Sequence, residues 1–183
     1  MSHFAIDVPA SLVQRAARGD EAAFERLYRL FERPAYTLAW RMLDDRDEAQ
    51  EVLHDAMLAL IQRLDQYRGD APFWGWFRQI VVNEALMRLR KRRPDYVDEI
   101  PEPEADTAPR HAALDQVDLE RALAHLAPTT RSVVWLYCVE GYTHEEIAAG
   151  FGRTTSFSKS QLMRGTRRLR ELLEPSGEVH SHA

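Results

Sequence analysis

Apolar residues recur along most of this chain at the three- and four-residue intervals of an amphipathic helix, so the pattern predicts helix after helix. The first stretch carries Leu12, Ala16, Phe24, Leu27, Leu30 and Phe31, with Ser11 placed to cap it and a break at Arg18-Gly19-Asp20. Pro34 starts or kinks a further stretch through Tyr36, Leu38, Ala39, Trp40 and Leu43. Asp44 or Asp45 caps the next helix. There Ala49, Val52, Leu53, Ala56, Leu60, Ile61 and Leu64 form an apolar stripe, and Asp47, Glu48, Glu51 and Asp55 form the other face. Tyr67 to Pro72 reads as a loop, and a helix from about Phe73 to Arg92 follows, stopped by Pro94.

From Pro94 to about Ala113 the pattern lapses: Pro101, Pro103 and Pro109 stand among many acids and few large apolar residues, a linker composition. Helical spacing then returns over Asp115 to Leu126, with Val117, Leu119, Leu123 and Leu126. Pro128 and Thr129 start another helix, ending near Gly141. Thr143 with Glu146 forms a capping box for the next, Gly150-Phe151-Gly152 makes a turn, and a last helix spans about Thr155 to Leu173. The expected fold is all-α: two small helical domains, residues 9–93 and 115–174, joined by an acidic flexible linker, 94–114, with a tail over 175–183. The C-terminal domain is expected to contain a helix-turn-helix.

A length of 183 residues suits one or two small domains, and 45% apolar residues supply cores for them. No apolar run reaches the ~18 residues of a membrane span, and Met1 to Ala10 lacks the pattern of a secretory signal. Membrane insertion is therefore not expected, and the expected location is cytoplasmic. Cys138 stands in the apolar run Val133 to Val139 and reads as a small buried hydrophobe, with a redox sensor as the alternative.

A net charge of −5 argues mildly against a nucleic-acid partner, but the distribution reverses the argument. Arg78, Arg88, Arg90, Lys91, Arg92 and Arg93 gather in one block, and Arg153, Lys159, Arg164, Arg167, Arg168 and Arg170 in another. The acids collect in Asp44 to Asp55 and in Asp95 to Glu120. Two basic blocks with an acidic stretch between them suggest two phosphate-facing surfaces, the alternative being solvated helix faces. The same segregation suggests that acids of the linker, Asp98, Glu99, Glu102, Glu104 and Asp106, lie against a basic surface in the free protein.

Tyr142 to Arg170 has the layout of a helix-turn-helix: a short capped helix, a turn and a longer basic helix. Packing of Ile147, Ala148 and Phe151 against Leu162 and Leu169 leaves Lys159, Ser160, Met163 and Arg164 on the outer face, supported by Gln161. Arg and Lys there suit guanine edges or phosphates. Tyr67 to Arg93 joins aromatic to basic residues, a pairing that fits unpaired bases stacked on rings beside a backbone rail. Phe73 and Phe77 read as core, while Trp74 and Trp76 stand open between core and stacking surface. The acidic face of Asp47, Glu48, Glu51 and Asp55 is either a solvated face or a docking surface for a basic partner. Catalytic constellations are missing. His144-Glu145-Glu146 lacks a second histidine at zinc spacing, His54 and Asp55 are helix neighbours that do not face each other, and no glycine-rich phosphate loop or nucleophile elbow occurs. No enzyme activity, cofactor or metal site is expected.

These motifs together resemble the extracytoplasmic-function (ECF) group of RNA polymerase sigma factors. Asp44 to Asp55 is similar to the polymerase-binding helix of the second conserved region. Tyr67-Arg68-Gly69-Asp70, Phe73 to Phe77 and Ile80 to Asn83 are similar to its promoter-melting segment, and Gly141 to Ala148 with Lys159 to Arg164 to the helix-turn-helix of the fourth region. The resemblance runs from about Pro9 to Leu173. It implies that Asp47, Glu48, Glu51 and Asp55 dock on the β′ clamp helices of core RNA polymerase, whose β flap is a further partner. It implies that Tyr67, Arg68, Phe73, Trp74, Trp76, Arg78, Asn83, Arg88 and Lys91 serve −10 DNA, duplex and melted. Arg153, Lys159, Ser160, Gln161, Met163, Arg164 and Arg167 would serve the −35 element, and an anti-sigma factor would be a further partner. Two positions depart from the common pattern: Phe157 is large where a small residue is usual before the Lys-Ser pair, and Gln161 stands where Arg is frequent. Pro72 stiffens the base-capturing loop. A duplex-binding repressor would need neither the melting segment nor the acidic helix, and a decoy for an anti-sigma factor would not need the basic positions of the last helix.

Overall fold

The computed structural model describes residues 6–92 and 116–173, and every described regular element is a helix. The linker and tail expected over 94–114 and 175–183 lie outside the described residues, as do the linker acids and Arg93.

Helix α1 (Ala10–Ala17) starts on Pro9, not Ser11: the Pro9 carbonyl accepts from Leu12 and Val13, and no side chain caps the end. The break at 18–20 is real. Asp20 accepts from the Ala23 amide at 3.0 Å and begins α2 (Glu21–Leu43). Pro34 lies inside α2 and neither starts nor ends a helix. Leu27, Phe31, Ala35, Leu38 and Ala39 on both sides of it are buried in one core, and this packing holds the helix across the missing amide. Asp44, in the left-handed region at φ 55°, closes α2, and Asp45 accepts from the Glu48 amide to open α3 (Arg46–Arg63). Of the expected stripe on α3, Ile61 is the exception: it is 56% exposed, at the rim of the helix, while Ala49, Val52, Leu53, Ala56, Leu60 and Leu64 are buried.

Helix α4 (Phe73–Arg92) completes the N-terminal domain. Phe31, fully buried, meets Phe73 at 5.1 Å, stacks on Trp74 at 5.8 Å and meets Phe77 edge-on at 6.0 Å. Burial of one such ring is worth about 1.5–3 kcal/mol.

The C-terminal domain comprises α5 (Gln116–Ala124), α6 (Pro128–Cys138), α7 (His144–Phe151) and α8 (Thr155–Leu173). Leu119 faces outward; Leu123 and Leu126 supply the packing expected of that stretch. Helix α6 ends at Cys138, three residues short of Gly141. Cys138 is exposed there, contrary to its apolar setting in the sequence. Thr143 and Glu146 form the expected capping box of α7, which continues through Gly150 and Phe151 to a left-handed Gly152.

The domains touch: α2 packs on α6 and α4 on α7. Arg131 of α6, 3% exposed, donates to the Met42 and Leu43 carbonyls at 3.4 and 2.8 Å and pairs with Asp44 at 3.1 Å. It caps the C-terminal end of α2, where unpaired carbonyls concentrate negative charge. Ser132 donates to the Met42 carbonyl at 2.9 Å. Arg41 lies over the Trp135 ring at 4.6 Å, and Arg78 over Tyr142 at 5.1 Å.

Candidate nucleic-acid interface

Helices α7 and α8 form a helix-turn-helix whose inner and outer faces are set by side-chain size. Ser158, Gln161 and Gly165 take the inner face of α8 at helical intervals and are buried. A Cβ on Gly165 would lie 2.5 Å from Val134 Cγ2 and 2.9 Å from Thr130 Cγ2, so α8 approaches α6 more closely than any side chain would allow. The sequence signal was available: an isolated glycine inside a helical pattern marks close packing. Phe157, the large residue before Lys159, does not push the helix away. It packs edge-on against Phe151 at 5.6 Å and so becomes part of the joint between the helices.

The outer face of α8 carries Lys159, Met163, Arg164 and Arg167, all exposed, with Ser160 half-buried. Met163 is 66% exposed, far more than a thioether needs for packing alone. Arg153 is exposed in the turn. Arg167 lies 3.8 Å from Glu171, one turn on. Gln161 belongs to the other face: it is 7% exposed and its Oε1 accepts from the Thr130 hydroxyl at 2.6 Å. The structure thus separates Gln161 from the −35 set, because burial and a fixed partner remove it from the surface.

The N-terminal basic region is arranged differently from the sequence expectation. Phe73 is buried, as its reading as core expects, and Trp74 is buried as well, so neither offers a ring face to a base in this structure, against the −10 role that the resemblance implies. Tyr67 and Trp76 are half-buried around Phe73, at 5.2 and 5.8 Å from its ring. The Tyr67 hydroxyl donates to the Ala71 carbonyl at 2.6 Å and closes the Arg68 to Pro72 loop. Arg68, Asn83 and Lys91 are exposed. Arg78 is engaged across the domain contact, donating to the Glu140 carbonyl at 3.0 Å and its carboxylate at 2.9 Å. Tyr142 beside it donates to Gln79 at 3.1 Å, and burial raises its phenol pKa to about 12.

Arg88 and Arg92 turn toward α3. Arg88 donates to Asp55 at 2.6 Å and is paired with Glu51; Arg92 donates to Glu48 at 2.6 Å and lies 3.4 Å from Asp45. Partial burial works against the Arg88 charge, but the bonds to Asp55 and Glu51 outweigh it and raise its pKa. The reverse holds for Glu84 nearby: partial burial and then Asp55 push its carboxyl up. Of the four acids expected to dock a partner, Glu48, Glu51 and Asp55 are therefore held by α4, and Asp47 alone stands exposed with no ion pair among the described residues. Sequence spacing showed one acidic face; it could not show a basic helix lying across it.

Among the described residues no group of three or more His, Cys, Asp and Glu gathers as metal ligands, and no described helix is long and apolar enough to cross a membrane.

Two family models match the chain: Sigma-70 region 2 over residues 27–94, and Sigma-70, region 4 over residues 116–169. ECF RNA polymerase sigma factor SigM of Mycobacterium tuberculosis is 33% identical over 167 residues, covering 90% of this chain and 84% of its own. ECF RNA polymerase sigma factor SigE of Mycolicibacterium smegmatis is 29% identical over 178 residues, covering 91% and 69%. Among solved structures, sigma factor RpoE in complex with the anti-sigma factor NepR, from Bartonella quintana, shares the fold at a TM-score of 0.54 and 22% identity, covering 84% of this chain and 98% of its own. The helix-turn-helix and the domain order already define a DNA-reading transcription factor. This chain belongs to the ECF sigma factors, which direct RNA polymerase to promoters in transcription initiation.

Proposed function

We propose that the two domains divide promoter recognition, with the C-terminal helix-turn-helix reading −35 duplex and the N-terminal domain docking on polymerase and holding the melted −10 strand. The observation that carries it is the outer face of α8: Lys159, Met163 and Arg164 stand exposed on a helix whose inner face is fixed by Ser158, Gln161 and Gly165. Lys159 and Arg164 suit guanine edges or phosphates, Met163 suits a thymine methyl, and Arg153, Ser160 and Arg167 border the groove. In the N-terminal domain, Tyr67, Arg68, Trp76, Asn83 and Lys91 form the −10 surface: half-buried rings beside an exposed polar rail. Asp47 and the acids behind it form the face for basic groups of the polymerase, the β′ clamp helices, with the β flap meeting the C-terminal domain.

The chain acts as an initiation factor and carries no catalysis of its own, and its place of action is the cytoplasm, where polymerase and promoter meet. An anti-sigma factor is proposed as a regulator, supported by the complexed state of the solved relative. Run-off transcription with purified core polymerase on a pooled promoter library tests the reading. New start sites sharing −35 and −10 elements are expected only when the protein is present. Core binding without new start sites would replace promoter reading with a decoy role.

A further inference from the structure

The acids of α3, which the proposed function gives to polymerase, pair with Arg88 and Arg92 of α4, the helix that also carries Asn83 and Lys91 of the proposed −10 surface. Arg88 and Arg92, one turn apart on α4, are each shared between two carboxylates: Arg88 by Glu51 and Asp55, Arg92 by Glu48 and Asp45. Their side chains retain 24% and 33% exposure, so both remain within reach of water and of a competing ion. Four carboxylates against two guanidiniums leave the patch net negative, and exposed Asp47 adds to the excess. Such a patch attracts a basic partner and repels a phosphate backbone.

We propose that this network is an ion-pair exchange that couples polymerase docking to DNA binding. Basic groups of the docking partner take over Glu48, Glu51 and Asp55, and the displaced Arg88 and Arg92 turn to DNA phosphates. The exchange rests on the proposed docking of α3. A second cation brought against the same carboxylates repels the guanidinium already there, and an arginine's long stem lets it swing without moving the backbone. Arg88 stands three residues before exposed Lys91 on the same helix, so its release adds positive charge beside a group already turned to solvent. Coupling of this kind is reciprocal: docking strengthens DNA binding, and DNA strengthens docking by the same factor. It gives an acidic protein a physical reason to bind DNA weakly until polymerase is present.

The test is the salt dependence of binding to a fluorescent single-stranded oligonucleotide, measured by anisotropy with the full chain. Each arginine that gains a phosphate contact steepens the slope of log K against log salt by about 0.7. The variant Glu51→Gln/Asp55→Asn frees Arg88, so its slope is expected to steepen by about 0.7 relative to wild type. Adding Arg88→Gln should abolish that gain. Glu21→Gln/Asp65→Asn removes the same charge from acids away from the network; it should tighten binding without changing the slope. Glu48→Gln, which loosens Arg92, provides an independent variant if the first has lost helical content by circular dichroism.

An unchanged slope in both acid variants, or a gain that survives Arg88→Gln, overturns the exchange. A parallel pull-down with core polymerase separates the two ideas. Wild type that binds core but shows no slope change in the variants refutes the exchange and leaves docking standing. Wild type that does not bind core refutes docking, and the exchange with it.

Discussion

Met163 and Gln161 lie two positions apart and illustrate how far a single residue's role can be read from its neighbours. Both stand in a run that the sequence marks as a recognition helix, yet one is among the most exposed apolar side chains and the other is buried against Thr130. Spacing gives the faces of a helix; which face meets the rest of the protein depends on α6, whose approach is controlled by Gly165. The two residues should therefore fail differently. Gln161→Ala removes a buried hydrogen bond and leaves the Thr130 hydroxyl without its acceptor, a loss of about 1 kcal/mol, or about 2–4 °C in Tm for a chain of this size. Met163→Ala should leave Tm within about 1 °C, since exposed substitutions fall within about 0.5 kcal/mol, while changing which −35 duplexes compete best in an anisotropy assay. Equal drops in Tm would show that Met163 has a packing role the exposed position does not suggest. At the same scale, Phe73 is core as its spacing indicates, while Trp74, open between core and stacking surface, shows why aromatic-plus-basic composition overstates a DNA surface. Rings at helical spacing satisfy a core as readily as a base, and only Phe31 from a distant helix decides between them.

Elements were more legible than residues because their signals are local. The capping box at Thr143 and the break before Asp20 are written in a few adjacent side chains, and the helices begin where those side chains say. Pro34 was misleading for the opposite reason: its local cost is outweighed by apolar residues packed on either side, information that lies elsewhere in the chain. Gly165 is an element-scale feature of the same kind. Its missing Cβ sets the separation of α6 and α8, and the atoms it would meet belong to Val134 and Thr130, β-branched side chains stiff at χ1. Gly165→Ala returns about 1 kcal/mol of helix preference but overpacks the contact at about 1–3 kcal/mol. The expected balance is destabilisation, seen as a lower Tm together with weaker −35 duplex binding, because the recognition helix moves with the contact. A variant more stable than wild type would mean that α6 yields to the methyl group at little cost.

At the scale of the whole molecule the sequence is silent, since the hydrogen bonds that join the domains link residues 62 to 90 positions apart. Arg131 dominates them. Burial lowers its pKa, and Asp44 opposes that shift from across the domain contact. The guanidinium is accommodated because two terminal carbonyls of α2 and the Asp44 carboxylate all point at it. Under the proposed division of labour the two domains serve elements about 25 base pairs apart, or about 85 Å of duplex at about 3.4 Å per pair. Domains in direct contact cannot cover that span, so promoter binding must pull Arg131 from the end of α2. Arg131→Ala removes this tie in advance. Loss of a hydrogen bond from a charged donor, such as the one to the Leu43 carbonyl, amounts to about 1.5–3 kcal/mol, enough to shift a closed chain toward separated domains. Small-angle scattering should then show a larger radius of gyration for the variant than for wild type, with helical content unchanged. Half-maximal transcription should need less of the variant, because the closed form no longer competes with the promoter-bound one. A radius of gyration identical to wild type, with the same transcription midpoint, would show that the Arg41–Trp135, Arg78–Glu140 and Gln79–Tyr142 contacts hold the domains together without it, and the double variant Arg131→Ala/Glu140→Gln would then be the one that opens.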